Sequence, residues 1–398
     1  MLIGSQKRRR FHLALALSAC SALALGLMGC PPPANQSGIS GSPSGPSTTL
    51  IVGFVGPLTG DAASFGISQK NGIEMARDEI NAAGGVGGSP VTVVYEDTQL
   101  DQNKAITAFN KVTDSDKATV VLGETSSANT KAIGPLAQRK GVLLLSPIAS
   151  SANLTTSGFP LFRISPSDAF QARIAAQYAL SRGWKTTAIL YTNDEWGTGL
   201  KDAFATDFKA GGGQVLGDTG VEPKAQDIRP SLTKIKSLKP AFIYIPMHPD
   251  EAGVAIKQAK QLGIASSFLG ADSFSEPTIA KIAGSATDGV VYTMPASGFG
   301  AAYDQFAKQY QAKFNGAPNY NAAAGYDALK VIAAAAKRAG KTDATALATA
   351  LKQTKNYEGA SGSITFDTNG DVTSKAFDLK KLQNGQSTLV QGHIAINK

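Results

Sequence analysis

An α/β fold built from two doubly wound parallel-sheet lobes is predicted, and three observations carry it. Short, continuously apolar strand segments alternate with amphipathic helical segments along almost the whole chain, the pattern of parallel sheets covered on both faces. About ten such βα units are present, more than one sheet normally carries. The 398 residues, 42% hydrophobic and only 17% charged, suffice to bury two cores.

The first thirty residues are a targeting segment. Lys7 to Arg10 form a basic flank, followed by an apolar run from Phe11 to Gly29 that ends in Leu27-Met28-Gly29-Cys30. Positive flank, apolar core and small residue before the break describe a secretory signal. The small residue followed by Cys30 resembles a bacterial lipobox, which implies cleavage before Cys30 and lipidation of its thiol. Leu17-Ser18-Ala19-Cys20 also fits a lipobox, but cleavage there would leave the apolar run Ala22 to Met28 on the mature chain. An uncleaved membrane anchor is the alternative, since the run nearly reaches the roughly 20 residues a span needs. Either reading places the body outside the cytoplasm.

Cys20 and Cys30 are the only cysteines, so the body has no disulfide, thiol nucleophile or thiolate metal site. The formal charge of +8 is half accounted for by the four cations of the leader; the remainder holds 34 basic and 30 acidic residues. That balance does not support a nucleic-acid footprint. Residues 31–47, PPPANQSGISGSPSGPS, cannot bury enough surface to offset their ordering entropy and read as a flexible tether.

The body begins near Leu50. LIVGFVG is a buried strand ending at Pro57, followed by a loop from Thr59 to Gly66 and a helix in which Ile73, Ala76 and Ile80 recur three and four apart before Gly84-Gly85 stops it. VTVVYED, a helix with Ala105, Ile106, Phe109 and Val112, and ATVVLG come next. GETSSANTKAIGPLAQRKGVLLLSPIAS then reads as loop, helix from Ser126 or Ser127 to Gln138, strand to Ser146, and a second polar loop. The rhythm continues through Phe162 to Ile164, helix Asp168 to Arg182, TTAILYT, helix Gly199 to Ala210, QVLGDTGV, helix Ile228 to Leu238, AFIYIPM, helix Glu251 to Leu262, SFLGAD, helix Pro277 to Ala283 and GVVYTMP. Three helices, Tyr303 to Phe314, Asn321 to Ala339 and Asp343 to Gln353, then cover a lobe. The assignment is 48–166 plus 296–372 for lobe 1 and 167–295 plus 373–398 for lobe 2, with three crossovers near Ser165, Pro295 and Val372 forming a three-strand hinge.

Both polar loops of the GETSS block lie at the carboxyl edge of a sheet, where open α/β sheets bind ligands. Ser126 and Ser127 read as N-caps, with the N–H groups of Ser127, Ala128 and Asn129 free at the positive end of a helix, a set suited to a small carboxylate. The same pair reads equally as plain caps; the facing loop Pro147-Ile148-Ala149-Ser150 favours a ligand.

The ordered segments VGFVGPLTGDAASFG, NGIEMARDEINAAGG, YEDTQLDQNKA, GETSS to SPIASSANLT, FRISPSD, YTNDEWGTG, QAKQLGI with FLGAD, and FDTNGDV together resemble the type I periplasmic substrate-binding proteins of the leucine/isoleucine/valine-binding family, receptors of ABC importers. The resemblance runs from about Leu50 to Ile396. It implies that Ser127, with Ser126 beside it, holds a ligand carboxylate, that Ser150 touches both carboxylate and ammonium with the Ile148 carbonyl and Ala149 alongside, and that Asp272 receives the ammonium. It also implies that Trp196 and His248 meet the ligand from the far lobe and that Phe65 lines the side-chain pocket. Trp196 also reads as a core residue, though its setting in polar DEWGTG argues for a loop; Asp272 also reads as a helix cap, and His248 as a capping or surface residue. Many relatives carry glutamate where Asp272 stands and tyrosines where Trp196 and His248 stand, so the side-chain preference is left open.

The resulting expectation is a monomeric, lipid-anchored receptor without cofactor or metal that closes on an amino acid, aliphatic or otherwise hydrophobic, and delivers it to a permease and ATPase. The alternatives are a sensor of the same fold for an amide, urea or aromatic acid, and an extracytoplasmic hydrolase using Ser127, His248 and Asp272. The hydrolase reading lacks a GxSxG elbow or an HExxH motif.

Overall fold

The computed structural model describes residues 49–60 and 62–395; Cys20, Cys30, the targeting segment and the tether lie outside them. The first sheet has five parallel strands, β1 (Ile51–Gly56), β2 (Thr92–Asp97), β3 (Val120–Gly123), β4 (Leu143–Ser146) and β5 (Phe162–Arg163), in the order β2-β1-β3-β4-β5. The apolar alternation of LIVGFVG puts Val52 between Val93 and Val120 in register, all three buried. The second sheet has seven strands in the order β14-β13-β10-β9-β8-β6-β7. Strands β6 (Thr186–Thr192), β7 (Gln214–Val221), β8 (Phe242–Ile245), β9 (Ser267–Gly270) and β10 (Val291–Pro295) are parallel; β13 (Ala376–Gln383) and β14 (Gln386–Ala395) run antiparallel at its edge.

Helices α1 (Ala63–Ala82), α2 (Gln102–Asn110) and α3 (Ser127–Lys140) link the strands of the first sheet, and α4 (Asp168–Ser181) leads into the second. There α5 (Glu195–Ala210), α6 (Arg229–Leu238), α7 (Pro249–Gln261) and α8 (Pro277–Ala283) take the same role. Helices α9 (Ala301–Phe314), α10 (Tyr320–Ala339) and α11 (Ala344–Lys352) return to the first sheet. Tyr310 and Lys313 of α9 and Tyr326 and Lys330 of α10 bond to Asn71, Asp78 and Glu79 of α1. The α1–α10 crossing depends on two glycines. A Cβ on Gly72 would lie 1.9 Å from the Ala322 carbonyl oxygen, and one on Gly325 would lie 2.4 Å from that of Gln69.

The chain passes between the sheets three times: after β5, after β10, and between the small hairpin β11 (Tyr357–Gly359) with β12 (Gly362–Ile364) and β13. The first and third passages are clamped together. The guanidinium of Arg163, fully buried, pairs with Asp371 at 2.6 Å and donates to the Ser151 carbonyl at 2.8 Å, while Thr155 Oγ1 donates to the second Asp371 oxygen at 2.6 Å.

Two helix starts differ from the sequence expectation by more than two residues. The stretch expected as a loop to Gly66 is helical from Ala63, and α5 begins at Glu195, four residues before Gly199. Trp196 is therefore a helical residue, in a first turn capped by Asp194, whose carboxylate accepts the Gly197 N–H at 2.8 Å. Apolar periodicity locates a helix by the face it buries, and each first turn, Ala-Ser-Phe-Gly or Glu-Trp-Gly-Thr, carries a single large apolar residue, too few to show a period. Strand β4 starts at Leu143, two residues after Gly141, which closes α3 in the left-handed conformation (φ 63°) that favours glycine.

Candidate functional site

In the first sheet β1 has β2 on one side and β3 on the other, so the connections leaving β1 and β3 diverge to opposite faces. The gap at their carboxyl ends is a topological switch point. In the second sheet β6 stands likewise between β7 and β8. The connections after β1, β3, β4, β6, β8 and β9 hold every candidate contact residue. The two sets meet: Lys131 Nζ lies 2.7 Å from a Glu195 carboxylate oxygen, Ser151 Oγ donates to the Glu195 carbonyl at 3.2 Å, and Ser64 Oγ donates to Glu276 at 3.2 Å.

At the anion side, Ser126 caps α3: its Oγ accepts the Asn129 N–H at 3.4 Å. That bond corrects the expectation of a free Asn129 N–H, since a capped first turn spends one donor on the cap. By helix geometry the N–H groups of Ser127 and Ala128 have no intrahelical acceptor. Ser127 is buried; its Oγ accepts the Ser151 N–H at 3.2 Å and keeps its own proton to donate. In the facing loop Ser146 Oγ accepts the Ala149 N–H at 2.9 Å, fixing Ala149 and the partly buried Ile148 in a tight turn. Ser150 Oγ donates to Asp168 at 3.1 Å, and its carbonyl accepts the Asp168 N–H at 2.8 Å.

Asp168 and Asp272 form the cationic side. Asp168 is fully buried; one carboxylate oxygen takes the Ser150 hydroxyl and the other is buried without a partner. Asp272, in a 3-10 turn after β9, accepts Gln171 Nε2 at 3.2 Å. Burial, then the charge of Asp272, hold the Asp168 carboxyl well above the usual aspartate range. Burial raises Asp272 too, against the Gln171 hydrogen bond and the His248 charge. The Tyr244 hydroxyl, buried and unpartnered, is pushed up by burial and by both carboxylates. Two buried acids held up in this way are relieved by a cation beside them.

On the second sheet's side, the Trp196 and His248 rings stack with centroids 5.1 Å apart and planes 22° apart. Trp196 is 8% exposed and packs in the buried cluster with Leu200 and Phe204, so it serves the core as well as the crevice wall. His248 Nε2 lies 2.6 Å from the Asp194 carboxylate. Burial disfavours the imidazolium, but the Asp194 hydrogen bond and charge, with Glu251 and Asp272, outweigh it and raise His248. Phe65 sits half-buried in the first turn of α1, its carbonyl accepting Gln69 Nε2 at 3.2 Å.

A family model described as periplasmic binding protein matches residues 49–386. The chain belongs to the periplasmic binding protein family. It is 30% identical to the Leu/Ile/Val-binding protein BraC3 of Rhizobium johnstonii, over 85% of this chain and 92% of that one. The leucine binding protein LivK of Thermotoga maritima superposes with a TM-score of 0.82 at 28% identity, covering 87% of this chain and 99% of LivK. LivJ of Streptococcus pneumoniae, a branched-chain amino acid transporter substrate binding protein solved with isoleucine, gives 0.77 at 28% identity over 87% and 100%. These relatives are solute-binding proteins and not enzymes, and membership of the family places the body outside the cytoplasm.

Two acids of this periplasmic binding protein's crevice escape a reading of the sequence. Asp168 reads there only as the first residue of a helix, where an acid is unremarkable; the signal available is its place one residue beyond Ser165-Pro166-Ser167, where the chain leaves the first sheet. Glu276, 8% exposed and bonded to Ser64 from the other sheet, reads in sequence as an ordinary residue before a proline.

Proposed function

We propose that this binding protein is the amino-acid receptor of an ABC importer, lipid-anchored through Cys30, with two lobes that follow the two sheets and close on a zwitterion. The observation that carries this reading is the partnerless, fully buried oxygen of Asp168, whose other oxygen holds the Ser150 hydroxyl and whose carboxyl feels the charge of Asp272. An unpaired buried charge costs several kcal/mol, so the crevice is complete only when an ammonium meets the acids and a carboxylate meets the Ser127 turn. Lobe 1 is 48–166 plus 296–372 and lobe 2 is 167–295 plus 373–398. Closure is favoured when one ligand bridges Ser127 and Ser150 to Asp272.

The relatives named for leucine, isoleucine and valine, together with Phe65 and Trp196, support an aliphatic or otherwise hydrophobic side chain. A thermal-shift panel of the twenty amino acids, their amides, urea and aromatic acids tests this on the body from Ser47 onwards. A ligand at about 100 times its Kd adds about 2.7 kcal/mol, several degrees for a chain of this size. Aliphatic amino acids are expected to shift Tm, and Asp272→Asn and Ser127→Ala to lose the shift. Shifts confined to acids without an ammonium would remove the two aspartates from this role.

A further inference from the structure

Beneath the Ser126–Ser127 turn lies a further acid, Glu124, which is fully buried. Its carboxylate accepts the Ser126 N–H at 2.8 Å and the Thr98 hydroxyl from just beyond the end of β2. Its backbone carbonyl accepts Ser146 Oγ at 2.7 Å and Thr130 Oγ1 at 3.2 Å, so the residue ties the GETSS turn to the facing loop. Every group that meets it, from just beyond β2, from β4, α3 and its own loop, is neutral; among the described residues it makes no ion pair.

The consequence is a conflict of charge. An ionised Glu124 holds the Ser126 N–H that would otherwise serve an anion, and it stands two residues from the turn where the ligand carboxylate is placed. Two carboxylates that close in a dry site are not both ionised without penalty. We propose that Glu124 is a positioning residue that takes up a proton from solvent when an anion settles on the Ser126–Ser127 turn, so that ligand carboxylate and proton are captured together. This rests on the amino-acid reading of the crevice.

Burial, against its hydrogen bonds, raises Glu124 to about 7. Near that pH it is about half ionised and binding draws up to about half a proton to it; below about pH 5 it is already protonated and draws none. Above 7 the bound state must add a proton that the free state lacks, so affinity falls with rising pH, at most tenfold per unit. The Asp168–Asp272 pair works in the opposite sense, releasing a proton to solvent as an ammonium arrives, so the quantity to read is a difference between variants.

The test is titration calorimetry of full-length protein in detergent with leucine, isoleucine and valine, in buffers of different ionisation heat from pH 5 to 8.5. Wild type is expected to take up more protons at pH 7 than Glu124→Gln, and its Kd to weaken more steeply above pH 7. Thr98→Val, which removes one donor to the ionised form, is expected to move the onset of weakening to higher pH, and it reads the effect should Glu124→Gln fold poorly. Equal proton uptake and parallel pH profiles in wild type and Glu124→Gln, with no displacement in Thr98→Val, would overturn the inference and leave the amino-acid reading standing. No binding of any of the three would overturn that reading, and this one with it.

Discussion

Asp168 shows how a single residue trades stability for binding. Its carboxyl titrates above the ordinary aspartate value of 3.8, first because it is buried and second because Asp272 is near. An acid raised by folding costs stability as pH climbs past its unfolded value, and the cost grows until the folded group has ionised. Asp168→Asn is therefore expected to raise the Tm of the ligand-free protein above about pH 4 and leave it unchanged below. The same substitution is expected to weaken amino-acid binding at least tenfold, since it removes the negative charge an ammonium requires. Thermal melts across pH with and without ligand check both. An Asn that melted like wild type at every pH would mean that the two acids are not in conflict.

At the scale of elements, helix α1 and helix α10 approach as closely as they do because Gly72 and Gly325 face carbonyl oxygens. Backbone cannot give way as a side chain can, so Gly72→Ala is expected to cost about 2–4 kcal/mol. Denaturant unfolding measures it. A loss below about 0.5 kcal/mol would show that the two helices slide apart freely.

The elements also show what a sequence can reveal. Strands such as FIYI and VVLG, apolar throughout, announce parallel sheets, and the helices that bury Ile73, Ala76 and Ile80 or Phe204 and Phe208 announce themselves by spacing. The first turns of α1 and α5 are silent because each holds one large apolar residue, Phe65 or Trp196, among small and polar ones, and a single residue shows no period. Ser127, Ser150 and Asp272 are legible through their place in ordered motifs. Asp168, Glu124 and Glu276 are not, because an acid is ordinarily exposed and nothing in its neighbours says that three strands away the chain will fold over it. The β11–β12 hairpin, YEGASGSI, is likewise silent: three-residue strands rich in Gly and Ser carry no alternation to read.

For the whole molecule the question is what holds the two sheet systems against one another across the crevice. Lys131 with Glu195, 2.7 Å apart at the rim, is one direct tie, but the lysine side chain is 54% exposed and such pairs contribute less than about 1 kcal/mol. Lys131→Met is therefore expected to weaken ligand affinity about twofold at low salt and to match wild type near about 0.5 M salt, where screening has removed the pair. Calorimetry at two ionic strengths decides it; an equal loss at both would assign the lysine a packing role.

The clamp of Arg163 on Asp371 has a mechanical meaning. Three cords join the two halves, and this buried pair rivets two of them at one point, close beside the Ser151 carbonyl that the same guanidinium holds. Cords fastened together at one buried point are expected to bend there in company and not to slip past each other.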